Sequence, residues 1–178
     1  MATGAGAWRN RWRKVMAGAA LAGMVAAHSE AAQTSAARPG TRVRGGDPQA
    51  AALLDRGVSA SPTFRQLVDT IERSDVIVHV ETRPMTIPGR LQFAGSAGGS
   101  RYLRVSVRVP GREAELVAWL GHELQHAVEL AGAPEVVDHE SLLKYYRRVG
   151  MRRSAGTVET LAAQQAWRKI LDEVKFGR

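Results

Sequence analysis

The sequence predicts an α+β domain in which one helix and a small, mostly antiparallel three-stranded sheet precede three further helices. Apolar residues recur at helical spacing in four segments, which indicates four amphipathic helices. Between the first and second of these segments, β-branched or alternating stretches are bounded by glycine and proline, as is typical of strands. The chain has 178 residues, and its 44% apolar content is sufficient to form the core of one domain.

The first helix and the strands follow from local signals. Ser61 before Pro62 is typical of a helix N-terminus, and apolar residues follow at helical spacing as far as Ile71, which predicts a helix that ends near residue 74. The glycine-rich residues 95–100 predict a turn. In the last predicted strand, odd positions are apolar and even positions are polar, which predicts one buried face and one solvated face. The predicted segments are a helix over 62–74 and strands over 75–82, from 91–93 onward and over 101–109.

Three helices are predicted after the last strand. Their apolar periodicity covers residues 112–131, 135–149 and 157–175. Glycine and proline punctuate the gaps between these helices at Gly132, Pro134, Gly150 and Gly156.

The first 31 residues predict a secretory signal peptide. A basic segment, residues 8–14, precedes an uncharged stretch over residues 15–27 and a run of small residues. The uncharged stretch is shorter than the roughly 20 residues that cross a bilayer, so we expect no stable membrane span after cleavage. An uncleaved anchor and a disordered alanine-rich tail are the alternatives. Residues 32–50 then predict a flexible linker, residues 51–178 the folded domain, and the whole chain a periplasmic or secreted protein.

Composition excludes several classes of function. The chain has no cysteine, which excludes disulfides, a cysteine nucleophile and thiolate metal ligands. The formal net charge is +8, but the basic residues are scattered and accompany no nucleic-acid-binding motif. We therefore predict no nucleic-acid partner.

Residues 122–126 read His-Glu-Leu-Gln-His and lie inside the second predicted helix. Residues four apart share one helix face, so His122 and His126 can bind one Zn²⁺ ion through neutral imidazoles. Glu123 lies about 100° around the helix from His122, where it can act as general base toward zinc-bound water. The two histidines also lie at the rim of the apolar face of this helix, where a cleft meets a core.

The third metal ligand is predicted to be Glu159. It is centred on an apolar stripe of the last helix, where a carboxylate must be paired, protonated or metal-bound. That stripe consists of Ala162, Ala163, Ala166, Ile170 and Val174. Glu129 and Glu140 are alternative ligands, and a buried salt bridge to Arg152 or Arg153 is the alternative role for Glu159.

The HExxH motif with a glutamate on a later helix resembles the gluzincin branch of zinc metallopeptidases. The resemblance covers residues 76–175 in architecture, although only the motif itself is specific. It implies a zincin-like fold, hydrolysis of peptide bonds, and extended substrate binding along strand 101–109 by strand addition. Gluzincins often carry an aspartate four residues after the glutamate ligand, where this chain has Ala163. No third histidine follows the motif, which argues against the metzincin branch.

Three further residues are candidates for supporting roles. Glu129 follows His126 by three residues and can support that ligand or form a salt bridge. His139 and Tyr146 lie on the apolar side of their helix and are candidates for stabilising an oxyanion, against the alternative of purely structural roles. His79 is predicted to be structural.

We therefore predict an exported single-domain zinc metallopeptidase, a hydrolase that acts on peptide or protein substrates. The alternative is a non-catalytic zinc-binding or envelope interaction module on a zincin-like scaffold.

Overall fold

The computed structural model describes residues 41–152 and 158–177, with side chains described at 41–150 and 159–177. The predicted signal peptide and most of the predicted linker lie outside these residues. The described strands are β1 (Val43–Gly45), β2 (Val76–Arg83), β3 (Gly89–Ala97), β4 (Ser100–Arg108), β5 (Met151–Arg152) and β6 (Val158–Glu159). The described helices are α1 (Pro48–Ala60), α2 (Pro62–Glu72), α3 (Glu113–Ala131), α4 (His139–Val149) and α5 (Leu161–Phe176).

The α+β class is confirmed, but the predicted three-stranded, mostly antiparallel sheet is wrong. Strands β1 to β4 form a mixed sheet in the order β1-β2-β4-β3, in which β1 and β4 pair parallel to β2 and only β3 is antiparallel. The chain crosses from β2 to β3 at the edge and returns through β4 in the middle. Consecutive strands in sequence are therefore not all neighbours in the sheet, and alternation along a strand does not reveal this order.

Strand β4 has neighbours on both sides. Because its backbone groups bond to β2 and β3, the expectation that residues 101–109 bind substrate by strand addition is wrong. Among the described residues, β3 pairs only with β4, so its other side is a free edge.

The structure also revises the end of the predicted linker, residues 32–50. Val43–Gly45 pair with β2, and helix α1 begins at Pro48 behind Asp47, whose side chain accepts the Ala50 N–H at 2.8 Å. A three-residue strand carries too little alternation to be recognised from sequence.

One face of the sheet packs against the helices and forms the core. Alternate residues of β2 and β4, including Val78, Val80, Val105 and Val107, are fully buried there. Leu120 and Leu124 of α3 belong to the same cluster. The buried faces of the strands and of α3 thus pack together in one apolar layer, which holds α3 against the sheet.

Two of the last helices begin later than predicted. Helix α4 begins at His139 instead of residue 135, because Asp138 caps it by accepting the Ser141 N–H at 2.8 Å. Helix α5 begins at Leu161 instead of residue 157, because Thr160 is its N-cap. Glu159 therefore lies on β6, which pairs antiparallel with β5, and the predicted glutamate helix is wrong in this respect.

Arg101 connects the sheet to the loop before α4. It is buried, and its guanidinium donates to both carboxylate oxygens of Asp75 at 2.7 and 2.8 Å. It also donates to the carbonyls of Ala133 and Val136 at 2.7 and 3.1 Å. The start of β4 thereby fixes the path of the chain from α3 into α4. None of the helices in residues 41–152 and 158–177 is long and apolar enough to cross a membrane.

Candidate metal centre

Helix α3 presents both histidines of the motif from successive turns. His122 and His126 are 3% and 6% exposed, and their ring centroids are 5.0 Å apart. Two buried imidazoles at this spacing need a partner that compensates for their lost hydration. Glu159 and Glu129 are such partners, and a shared cation would be another.

Glu159 approaches the same point from β6. One of its carboxylate oxygens, Oε2, lies 3.5 Å from His122 Nε2, and the ligand atoms of His122, His126 and Glu159 all lie within 4.8 Å of one another. Two ligands about 2.1 Å from a tetrahedral zinc would be roughly 3.4 Å apart. The three predicted ligands are thus brought together, and imidazole nitrogen and carboxylate oxygen are donor types that zinc accepts.

Glu129 supports His126 from outside this cluster. Its Oε2 lies 2.9 Å from His126 Nδ1, and its Oε1 accepts a hydrogen bond from the Thr160 hydroxyl at 2.6 Å. With Nδ1 engaged, His126 is left with Nε2 for a metal. Glu140, the other alternative ligand, is exposed and pairs with Lys144 at 2.8 Å.

Glu123 is a buried carboxylate on the wall of a cavity. It is 6% exposed, and burial raises its pKa against the opposing influence of His126 and His122. It lies so close to β3 that a Cβ placed on Gly89 would be 2.5 Å from its Oε1. Burial lowers the pKa of His126, but the hydrogen bond with Glu129 and the nearby carboxylates outweigh this and raise it overall.

The cavity has a volume of about 280 Å³ and lies between β3, α3 and α4. Its wall includes His139, which is exposed at the start of α4, and Tyr146. The Tyr146 ring meets the His126 ring edge-on at 5.4 Å, and its buried hydroxyl has no hydrogen-bond partner among the described residues. The remaining lining residues are Ile87, Gly89, Arg90, Leu91, His122, Glu123, His126, Leu142, Leu143 and Glu159.

A second cavity of about 170 Å³ adjoins the other side of the cluster. It shares His122 and Glu159 with the first cavity and is otherwise lined by Trp119, Gln164, Trp167 and Arg168. Trp119 lies 5.3 Å from both the His122 and Trp167 rings, measured between centroids. The candidate metal centre therefore lies where two cavities meet.

Sequence reasoning missed Gly89, Thr160 and the two tryptophans. A cap signal was available for Thr160, because threonine is a favoured N-cap and would have placed the start of the last helix after Glu159. No local pattern relates Gly89 to Glu123 or Trp119 to Trp167, since each pair is distant in sequence.

No protein family, curated protein or solved structure matches this chain.

The number of protein ligands differs between the two kinds of zinc site. Structural zinc sites are closed by four protein ligands, whereas catalytic sites use three and leave one position open. Among the described residues the clustered groups are two imidazoles and one carboxylate, which is the number of protein ligands that a catalytic site uses.

Proposed function

We propose that this protein is a zinc-dependent hydrolase of peptide bonds. One observation carries the proposal: His122, His126 and Glu159 converge beside the buried carboxylate of Glu123 on a cavity wall. Glu123 is not among the three clustered groups, so its carboxylate is left for a role other than holding the metal. A hydrolytic site needs such a group as a general base.

The residues of this chain divide the chemistry among them. His122, His126 and Glu159 would hold the zinc ion, which would supply a bound water of lowered pKa and a positive charge that polarises a carbonyl oxygen. Glu123 accepts the proton of the attacking water and returns it to the leaving amine. Tyr146 and His139 are candidates to donate hydrogen bonds to the oxyanion that forms between these steps.

In this proposal an extended substrate binds along β3, the edge strand, and not along β4, which has neighbours on both sides. The Arg108 N–H donates to the Pro88 carbonyl at 2.9 Å, so residues 88 and 108 form a hydrogen-bonded pair. Such pairs alternate along an antiparallel ladder, which leaves the backbone groups of Gly89 and Leu91 directed away from β4. Both residues line the cavity, where an extended peptide would add as a further strand.

Export and a zincin-like fold belong to the same proposal. The three-part pattern of residues 1–31 supports export to the periplasm or the medium. The HExxH motif on α3 and the approach of Glu159 from a later element support the zincin-like interpretation.

The proposal is tested with purified protein and the Glu123→Gln variant. We expect both to bind one zinc ion per chain by elemental analysis. We expect only the parent protein to cleave a mixed library of fluorogenic peptides, in a manner that chelators abolish. Glu140→Gln, on the exposed face of α4, is the matched control and should retain activity.

Three other outcomes of this experiment would each contradict a different part of the proposal. Full hydrolysis by Glu123→Gln would refute the general-base role. Absence of stoichiometric zinc would refute the metal centre itself. Zinc without hydrolysis of any peptide would favour the alternative of a non-catalytic zinc-binding or envelope interaction module.

A further inference from the structure

The sheet face opposite the helices carries a concentration of positive charge. We call this surface the basic sheet face and define it by Arg44, His79, Arg83, Arg104 and Arg108. Arg44, His79 and Arg104 stand in register across β1, β2 and β4, so they form one row perpendicular to the strands. Arg108 and Arg83 pair in register at the far end of β4 and β2.

The alternation of the strands places these charges together. The apolar residues of β2 and β4 point to the helices and are buried, so the intervening residues point to the other face. His79, Arg83, Arg104 and Arg108 are exposed there, and Arg44 is half-buried.

Little negative charge opposes these arginines. The acidic side chain on the same face is Glu81, which accepts the Ser106 hydroxyl at 2.7 Å and pairs with Arg83 at 3.4 Å. Arg104 has no hydrogen bond or ion pair among the described residues, and Arg44 donates through Nε only to a backbone carbonyl, that of Thr41.

His79 lies between Arg44 and Arg104 in the register of the sheet, and its pKa reflects their charge. The pKa of His79 is lowered first by burial and then by Arg44 and Arg104. Both arginines therefore lie close enough to His79 to disfavour its protonated form.

We propose that the basic sheet face binds the surface of an anionic lipid bilayer. Guanidinium groups bind phosphate oxygens in a bidentate manner, and the charges lie on a broad sheet face that suits contact with a plane of headgroups. A single-stranded nucleic acid would use several aromatic side chains for base stacking, whereas the outward positions of β2 and β4 offer only Tyr102. The inference is independent of zinc, because none of the five defining residues lines the candidate metal centre.

The test compares two variants with the same change in charge. In the first, Arg44, Arg104 and Arg108 are all replaced by Gln. In the control, Arg73, Arg147 and Lys175 are replaced by Gln. Those three exposed residues lie at the end of α2, on α4 and on α5. Co-sedimentation is measured with vesicles of neutral phosphatidylcholine and with vesicles that contain phosphatidylglycerol, at 50 and 300 mM salt. Both variants retain the basic residues near the N-terminus, so these contribute equally to either result.

We expect the parent and control proteins to bind the anionic vesicles in a salt-sensitive manner and the first variant to bind about 10- to 100-fold more weakly. Circular dichroism and thermal unfolding show whether the first variant is folded. If it fails to fold, Arg104→Gln alone serves with Arg147→Gln as control, and the expected weakening is about threefold to tenfold. Equal binding by the variant and its control would overturn the proposal, as would absence of binding to anionic vesicles or tighter binding to a 30-nucleotide DNA strand than to vesicles.

Discussion

Glu129 connects the two segments that supply the candidate metal ligands. Its carboxylate contacts His126 on α3 with one oxygen and Thr160, the neighbour of Glu159, with the other. A ligand histidine usually has such a partner on its second nitrogen, which fixes its orientation and tautomer. Glu129 therefore orients His126 by direct contact, and it helps to position Glu159 through its hydrogen bond with the neighbouring Thr160.

We predict that Glu129→Ala weakens zinc binding about 10- to 100-fold, because the His126 ring loses the partner that orients it. Competition with a chromogenic chelator measures the change in affinity. Glu140→Ala provides the control, because Glu140 contacts only exposed Lys144. Unchanged zinc affinity in Glu129→Ala would show that His126 needs no such partner.

Because Gly89 has no side chain, the Glu123 carboxylate can lie directly beside its backbone. A methyl group at this position would lie 2.5 Å from Glu123 Oε1 and 2.9 Å from its Cγ, so the carboxylate must move. We predict that Gly89→Ala binds zinc normally but hydrolyses peptides at least about tenfold more slowly, because the general base is displaced. Parallel measurement of zinc content and kcat checks this, and an undiminished kcat would contradict it.

At the scale of elements, β3 is placed to bind substrate because the antiparallel return of the chain leaves it at the edge. Its free backbone groups and the buried carboxylate of α3 face one cavity. In the proposed function, α3 would supply the catalytic groups and β3 would supply the backbone contacts to the peptide.

We predict that Leu91→Pro raises KM for peptides at least about tenfold, because proline removes an N–H directed to the free edge without removing a ladder hydrogen bond. Leu91→Ala is the matched control, since it loses the same side chain and keeps the N–H. Equal KM values for the two variants, both shown to be folded, would place the substrate elsewhere.

At the scale of the whole molecule, Arg101 fixes the loop between α3 and α4 to the sheet. We predict that Arg101→Met lowers the free energy of unfolding by about 2–4 kcal/mol, because two buried carbonyls lose their donor. Urea denaturation measures the loss. Arg104→Met, at an exposed position of the same strand, should change stability by less than about 0.5 kcal/mol.

The ion pair between Arg101 and Asp75 predicts that the free energy of unfolding depends on pH. The hydrogen bond from Arg101 lowers the pKa of Asp75. The stability that this carboxylate contributes is therefore present above its ordinary pKa of about 3.9 and is lost as the pH falls through its lower value in the folded protein. The difference in stability between the parent protein and Arg101→Met should narrow below pH 4. A constant difference down to pH 2 would contradict this.

Much of the local structure was predictable, because it rests on interactions between residues close in sequence. Helices α2 and α3 and strands β2 and β4 lie within two residues of the predicted bounds. Strand β1 and helix α1 were missed, and α4 and α5 were begun four residues early. Helical periodicity locates the body of a helix, whereas the caps at Asp138 and Thr160 determine where it begins.

By itself the sequence determined the spacing of His122, Glu123 and His126, and helical geometry alone then brings the two histidines to one face. It also indicated Glu159 as the carboxylate that completes the set. Only the tertiary structure decided that Glu159 approaches from a strand, that the second carboxylate oxygen of Glu129 bonds to Thr160, and that Gly89 of an edge strand adjoins Glu123. These contacts join residues as many as 37 positions apart, and their geometry depends on the order of strands and the packing of helices, which no local spacing encodes.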